Sequence, residues 1–327
     1  MKKLILGTRG SRLALTQARL VSRIIKKNYN NIDIKLKKIK TTGDRIKDTP
    51  LYDKGGKGLF IKEIEKALLN EEIDLAVHSL KDVPGEIGKQ FSLLTFPRRE
   101  DPRDVLISKN NLTLKSLPEN ASLGTGSLRR QNQLKKYRSD FKFINIRGNI
   151  DTRLKKLNKM DLDGIILAAA GLHRINKNGL ITQYITKNIC VPAVGQGTLG
   201  IEILNNRVEL TNLLSVLKDL KTSLQSKAER AFLQTLNGSC KLPLGGYMEV
   251  KLNKAKVNFK MYGFLSDIEG NSCIFKTLKG EINCENLEKK ELESKFKKIG
   301  KKMADIVLNT GGEKIINKIL DHENRKG

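Results

Sequence analysis

Apolar and polar positions alternate between two periods along the first half of the chain. KLILGT (3–8) is a short apolar run, the pattern of a strand buried on both faces. SRLALTQARLVSRIIKK (11–27) then places Leu13, Ala14, Leu20, Val21 and Ile24 at helical spacing, and IDIKLKKI (32–39) alternates with period two. GLFIKEIEKALLN (58–70) reads as an amphipathic helix and IDLAVHS (73–79) as a strand. This β-α-β-α-β order predicts an α/β domain with a largely parallel sheet. FPRREDPRD (96–104), with two prolines and many charges, breaks the rhythm and predicts a hinge or crossing between domains.

The rhythm restarts beyond the hinge. A strand and turn are expected at 121–126, a helix at 127–137, a strand at 141–146, a helix at 149–157, a strand at 163–169 and a helix start at 169–175. CVPAVGQGTLGIEIL (190–204) is a second candidate crossing. Helical patterns follow at 207–220 and 222–237, the latter with Gly238 as its C-cap. Segments 246–253, 256–266 and 272–282 alternate as an antiparallel meander, and 289–309 reads as one long closing helix. The last third is therefore expected to be a small α+β domain.

Length agrees with this division, because 327 residues exceed one ordinary core. No apolar run approaches the length of a membrane span. The N-terminal MKKLILGTRGS has an apolar run too short for a secretory signal. A cytoplasmic location and no membrane partner are the expectations. Cys190, Cys240, Cys273 and Cys284 form no CxxC, and His78, His173 and His322 are scattered, so neither a disulfide framework nor a metal site is expected.

The net charge of +27 suggests nucleic acid. However, 45 of the 62 basic residues are lysines spread evenly along the chain, Trp is absent, and aromatics total 5%. Without stacking platforms the charge reads as solvated surface, and no nucleic-acid partner is expected.

The arginines are more selective. GTRGSRLAL (7–15) sets Thr8, Arg9 and Ser11 between a strand end and a helix N-terminus, where free amides favour anions; Ser11 also suits a plain N-cap. LGTGSLRRQNQL (123–134) repeats the arrangement with Thr125, Ser127, Arg129 and Arg130. Arg147, Arg153 and Arg174 follow the next units, so arginines gather where ligands of doubly wound sheets bind. VHSLKDVPGE (77–86) places His78, Ser79, Lys81 and Asp82 just after a strand, with Asp82 able to act in acid/base catalysis. GGKGLF (55–60) lacks Walker spacing and reads as a basic flap. NGSCKLPLGGY (237–247) puts Cys240 on a Gly-rich turn, and taken alone that thiol would be read as inert.

Together these stretches resemble the porphobilinogen deaminase (hydroxymethylbilane synthase) family. The similarity runs in order from LGTRGSRLALTQA (6–18) through DLAVHSLKDVP (74–84), PRREDPRDVL (97–106), INIRGNIDTRL (144–154), PAVGQGTLGIE (192–202) and AERAFL (228–233) to the Cys240 loop, with only a general match beyond about residue 250.

The resemblance implies an α/β fold of two lobes like periplasmic anion-binding proteins, with doubly wound mixed sheets, and a small C-terminal α+β domain. The expected boundaries are 1–98 with 198–220, 99–197, and 221–327. It implies a monomeric transferase of porphyrin and haem biosynthesis that condenses four porphobilinogen units, with loss of ammonia, into linear hydroxymethylbilane. The cofactor implied is dipyrromethane, held by a thioether at Cys240. Asp82 is the implied catalytic residue. Arg9, Ser11, Ser79, Lys81, Thr125, Ser127, Arg129, Arg130, Arg147, Arg153, Arg174 and Gln196 are expected to bind cofactor and substrate carboxylates or line the cleft. Where the family often carries a lysine two residues before its glycine pair, this chain has Asp53, with Lys54 beside Gly55. Lys54 is therefore left aside and Lys57 kept as a subsidiary candidate. The rival expectation is a two-lobed anion receptor without chemistry, which gives Cys240 no role.

Overall fold

The computed structural model describes residues 3–45, 61–95, 97–237 and 242–324. The flap 55–60 with Lys54 and Lys57, as well as Gly238 and Cys240, lies outside them.

The chain begins with β1 (Lys3–Arg9), α1 (Arg12–Asn28), β2 (Asp33–Ile39), α2 (Thr42–Arg45), α3 (Lys62–Leu69), β3 (Leu75–Ser79) and β4 (Phe91–Thr95). It crosses to β5 (Asp104–Ser108), β6 (Ser122–Gly124), α4 (Leu128–Tyr137), β7 (Lys142–Ile144), α5 (Ile150–Lys159), β8 (Gly164–Ala168), α6 (Ala169–Arg174) and β9 (Gln183–Tyr184). It then returns through β10 (Leu199–Leu204) and α7 (Val208–Leu214) to α8 (Leu220–Thr235). β11 (Leu244–Leu252), β12 (Lys256–Ser266), β13 (Cys273–Asn283), α9 (Lys289–Val307) and α10 (Glu313–Asn324) complete it.

Two five-stranded sheets share one topology, with orders β2-β1-β3-β10-β4 and β7-β6-β8-β5-β9. In each the first three strands are parallel and the fourth runs antiparallel to both neighbours. That fourth strand is the one that follows a crossing: β5 after 97–103, β10 after 190–198. Alternation along each strand explains the helices on both faces. Leu4, Leu6, Leu75 and Val77 pack towards α1 and α7, while Ile5 and Ala76 pack towards α3. In the second sheet Leu106 and Ile166 share a cluster with Leu134 of α4, while Val105, Ile107, Ile165 and Leu167 meet α5 and α6. Helices on both faces require the near-continuous apolar strands seen in the sequence.

The meander β11-β12-β13 is antiparallel, and one face of it packs on α8, α9 and α10 through Phe232, Met248, Met261, Phe296 and Ile316. Three sequence expectations are corrected here. The helix expected at 207–220 stops at Leu214 and gives way to a 3-10 turn, because Asp219 caps α8 by accepting the Thr222 amide at 2.7 Å. The closing helix ends at Val307, and a wide turn with Gly311 at φ +101° starts a further helix, α10. α8 ends with Leu236 at its C-cap and Asn237 in the left-handed region at φ 48°, so termination precedes Gly238.

The crossings are built for close approach. Gly197 sits at φ +88°, and a Cβ there would lie 2.4 Å from the Glu100 carbonyl oxygen of the other crossing. Only glycine fits both demands. The Gly197 carbonyl in turn accepts the Glu100 amide at 3.1 Å.

Candidate active site

The register places the C-terminal ends of the parallel strands against the crossings. Leu199 pairs with Ser79 at the end of β3, and Asp104 pairs with Ala168 at the end of β8. The Leu80 amide donates to Thr198 O and the Ala169 amide to Arg103 O, both at 3.0 Å. The loops after β1, β3, β6, β7 and β8 are therefore gathered around the same two connections. Arg12 of α1 lies 3.7 Å from Asp151 of α5, so the two lobes face each other across this edge.

At the end of β3 the chain makes a 3-10 turn, Leu80–Asp82, closed by the Val83 amide donating to Leu80 O at 3.1 Å. Leu80 and Val83 are buried with Ile61, which leaves Lys81 and Asp82 on a turn anchored at both sides. Lys81 keeps part of its surface exposed. Its surroundings are nevertheless dense enough that burial pushes the ammonium down to about 8, with Arg130 adding to the effect while Asp82 and Asp104 oppose it. The Lys81 Nζ reaches Gln196 Oε1 only at 3.5 Å.

From the second lobe come Arg129 and Arg130 on the first turn of α4, Arg147 after β7 and Arg153 on α5. Burial, then Arg130 and Arg147, push Arg153 down to about 10, with Asp82 opposing. Its Nε donates to Gly148 O at 2.8 Å. Arg130 and Asp82 thus act on both Lys81 and Arg153, which ties the two lobes' charges into one cluster. Arg174, pushed down to about 10 by burial with Glu100 opposing, donates to Gly197 O at 2.6 Å on the crossing.

The cluster has a floor that sequence reasoning missed. Asp104, fully buried at the start of β5, receives Arg129 Nη1 at 2.7 Å, Arg130 Nε at 2.8 Å and Gln196 Nε2 at 3.0 Å. Burial works against its charge, but Arg129 and Arg130 hold the carboxyl well below the usual range. Arg129 also donates to Val191 O at 2.5 Å, so its fork is engaged inside the protein. The available signal was an aspartate opening the apolar strand DVLIS: a charge there must be neutralised from elsewhere. Asp104→Asn should leave two buried guanidiniums facing a neutral amide and cost about 3–5 kcal/mol. Denaturant unfolding measures this; an unchanged midpoint would mean the pairs contribute nothing.

The remaining predicted residues sit nearby with mixed commitments. Thr125 is buried, and its Oγ1 accepts the Ser127 amide at 3.3 Å. Ser127 stands at the N-cap of α4 without a capping hydrogen bond from its side chain. Ser11 does cap α1, accepting the Ala14 amide at 3.2 Å. Ser79 accepts from Gln17 Nε2 at 2.9 Å. Arg9 pairs with Asp44 at 2.5 Å. Arg147 is half-buried. A separate cavity of about 810 Å³, lined by Arg98–Pro102, the start of α8 and β11–β12, includes none of the predicted residues. Among the described residues no group of three metal-ligating side chains converges, and no helix is long and apolar enough to cross a membrane.

α8 joins these parts. Its buried Glu229 receives Arg99 Nη1 at 2.5 Å from the first crossing, the Gly195 amide at 2.8 Å from the second, and the Met248 amide at 2.9 Å from β11.

Known proteins match this sequence over nearly the whole chain. The family profile described as porphobilinogen deaminase, dipyromethane cofactor binding domain, matches residues 4–212, and the porphobilinogen deaminase C-terminal domain matches 223–308. The porphobilinogen deaminase of Chlorobium phaeobacteroides is 42% identical over 97% of this chain and 98% of its own length. That of Shouchella clausii is 49% identical over 76% of this chain and 81% of its own. Among solved structures, a probable amino-acid ABC transporter extracellular-binding protein of Bacillus subtilis aligns with 66% of this chain and 89% of its own at 12% identity, with a TM-score of 0.39. The chain belongs to the porphobilinogen deaminase family.

Proposed function

We propose that Asp82 is the catalytic carboxylate of this enzyme, that Cys240 carries its cofactor, and that the cations around Asp82 hold the growing chain. The activity is that of a porphobilinogen deaminase, a transferase that condenses four porphobilinogen units head to tail, releasing ammonia each time, to give linear hydroxymethylbilane. Bound dipyrromethane supplies the primer that the units extend.

The observation that carries the residue roles is the convergence of cations from both lobes around Asp82. Burial first depresses Lys81 and Arg153; Arg130 adds to both shifts and Arg147 to that of Arg153, while Asp82 opposes both. Such a cluster fits a ligand bearing several carboxylates, as pyrrole acetates and propionates do. Each charge-assisted hydrogen bond from it is worth about 1.5–3 kcal/mol. Ser127, Ser11, Thr125 and Ser79 line the same loops and add neutral donors, and Arg9 joins after exchanging Asp44 for a ligand carboxylate. Arg174 and Gln196 border the cleft at the crossing. Arg129, engaged by Asp104 and Val191 O, and Arg130, engaged by Asp104 and Ile166 O, hold α4 in place and contribute their charge to the cleft from there. Asp82 accepts a hydrogen bond from the reacting pyrrole nitrogen, stabilises positive charge there, and takes and returns the proton. The division 1–98 with 198–220, 99–197 and 221–327 is part of this reading and is supported by the three separate sheets. So is a cytoplasmic monomer, which size-exclusion chromatography checks.

Intact mass before and after brief exposure to porphobilinogen tests the reading. The purified protein should exceed its sequence mass by one dipyrromethane and then gain successive pyrrole units. A protein at its bare sequence mass that still turns over substrate would overturn it.

Lys81 makes a further prediction. Its ammonium is charged below about 8 and neutral above, so kcat/KM, which reports the free enzyme, should fall as pH rises through about 8. Lys81→Met should be weaker at neutral pH and lose that alkaline limb. A limb of wild-type shape in the variant assigns it to another group.

A further inference from the structure

We infer that Arg230 and Gln234 of α8 are positioning residues for the reaction: they clasp the turn behind Asp82 and set where its carboxylate stands relative to the chain tethered beyond α8. This rests on the assignment of Asp82 as the catalytic carboxylate.

The residues stand four apart, so one helix face presents both. Arg230 Nη2 donates to Pro84 O at 2.9 Å and to Gly85 O at 2.7 Å, and Gln234 Nε2 donates to the same Gly85 O at 2.8 Å. Gly85 is buried against that face: a Cβ on it would lie 3.5 Å from Leu233 Cγ and 3.7 Å from Gln234 Cα, ordinary contact distances. The segment Leu80–Gly85 is thus fixed at one end by Thr198 and at the other by α8, with Asp82 between.

Arg230 is costly to hold there. Burial pushes its guanidinium down to about 10, with Glu202 opposing, and Nη1 has no hydrogen-bond partner among the described residues. A desolvated cation with an unused donor is a poor device for stability alone. It suits fixing two carbonyls together: Nη2 alone spans both, and the planar guanidinium fixes the directions of its two N–H bonds, which a freely rotating ammonium does not. α8 ends only a few residues before Cys240 in the chain. The same helix therefore grips the turn bearing the carboxylate and leads into the loop proposed to carry the primer. Rigid support of this kind matters because a misplacement of about 1 Å can cost about 10²-fold in rate.

The test is a double-mutant cycle between Arg230→Met and Asp82→Asn, read by single-turnover kinetics, with intact mass and a thermal melt on each protein. Arg230→Met should retain the adduct, lose roughly 10-fold or more in kcat with KM within a few-fold, and add little further loss on the Asp82→Asn background. Arg230→Lys should recover part of the rate, and Gln234→Leu should show the same kcat-selective loss to a smaller degree. Wild-type kcat in both Arg230→Met and Gln234→Leu, or a loss that adds fully to that of Asp82→Asn, overturns the inference while leaving Asp82 catalytic. Near-wild-type turnover in Asp82→Asn itself removes the parent assignment and this inference with it. If Arg230→Met fails to fold, Gln234→Leu decides: loss of rate only in step with loss of structure means the clasp serves folding.

Discussion

Cys240→Ser protein is expected to leave purification at its bare sequence mass and to have lost nearly all turnover. The attachment proposed at this position is a thioether, and a thiolate is the only side-chain nucleophile soft and acidic enough to form one at neutral pH. A serine hydroxyl is close to a thiol in size and can hydrogen-bond, but lacks that reactivity. The other cysteines do not replace it. Cys190 is fully buried beside Asp104 and Arg129, and burial pushes its thiol up to about 12. Cys273 opens β13 and is likewise raised by burial, and Cys284 follows the same strand in the C-terminal meander. Serine at 190, 273 or 284 should accordingly leave the adduct intact. Intact mass spectrometry reads all four variants directly, and a normal mass increment in Cys240→Ser would move the attachment elsewhere.

Asp82→Asn is expected to fold, carry the adduct and melt within a few degrees of wild type, yet lose at least about 10²-fold in turnover, the scale of a missing general acid/base. The turn does not need the carboxylate: Leu80 and Val83 bury its flanks, and α8 holds Pro84 and Gly85. What asparagine removes is the negative charge, which opposes the depression of Lys81 and of Arg153. The reacting pyrrole then loses both a fixed anion for its developing positive charge and a group able to take its proton. Asp82→Glu keeps the charge on a longer arm and should retain part of the rate. Single-turnover consumption of porphobilinogen on adduct-bearing protein, alongside a melt, separates chemistry from folding. Turnover within a few-fold of wild type in Asp82→Asn would remove it from the mechanism.

Much of this protein was legible in its linear order. Period-two and helical patterns located β1, α1, β3, β8 and the final meander because each element is decided by which side of it is buried, and burial leaves its period in the sequence. Both crossings announced themselves through prolines, glycines and charges. Arg153, Arg130, Lys81 and Asp82 stood out because charged residues at strand ends have few structural reasons to be there, and the family resemblance assigned Cys240 a role that its local pattern alone did not.

Only the tertiary structure decided how those charges are partnered. Asp104 reads as one more acidic residue in a charged hinge, yet it neutralises Arg129 and Arg130 from 25 and 26 positions away. Arg9 reads as a free anion site and is found on Asp44. Arg230 falls within a helical pattern and is found on the carbonyls of a turn about 145 residues earlier. β10, read in the sequence only as part of a crossing, is a strand that joins the first sheet antiparallel to both neighbours. Local propensity depends on neighbours within a turn or two, whereas ion pairing and strand order depend on where the chain comes back in space. The sequence therefore identifies which groups the cleft contains, and the fold alone determines which of them remain available for a ligand.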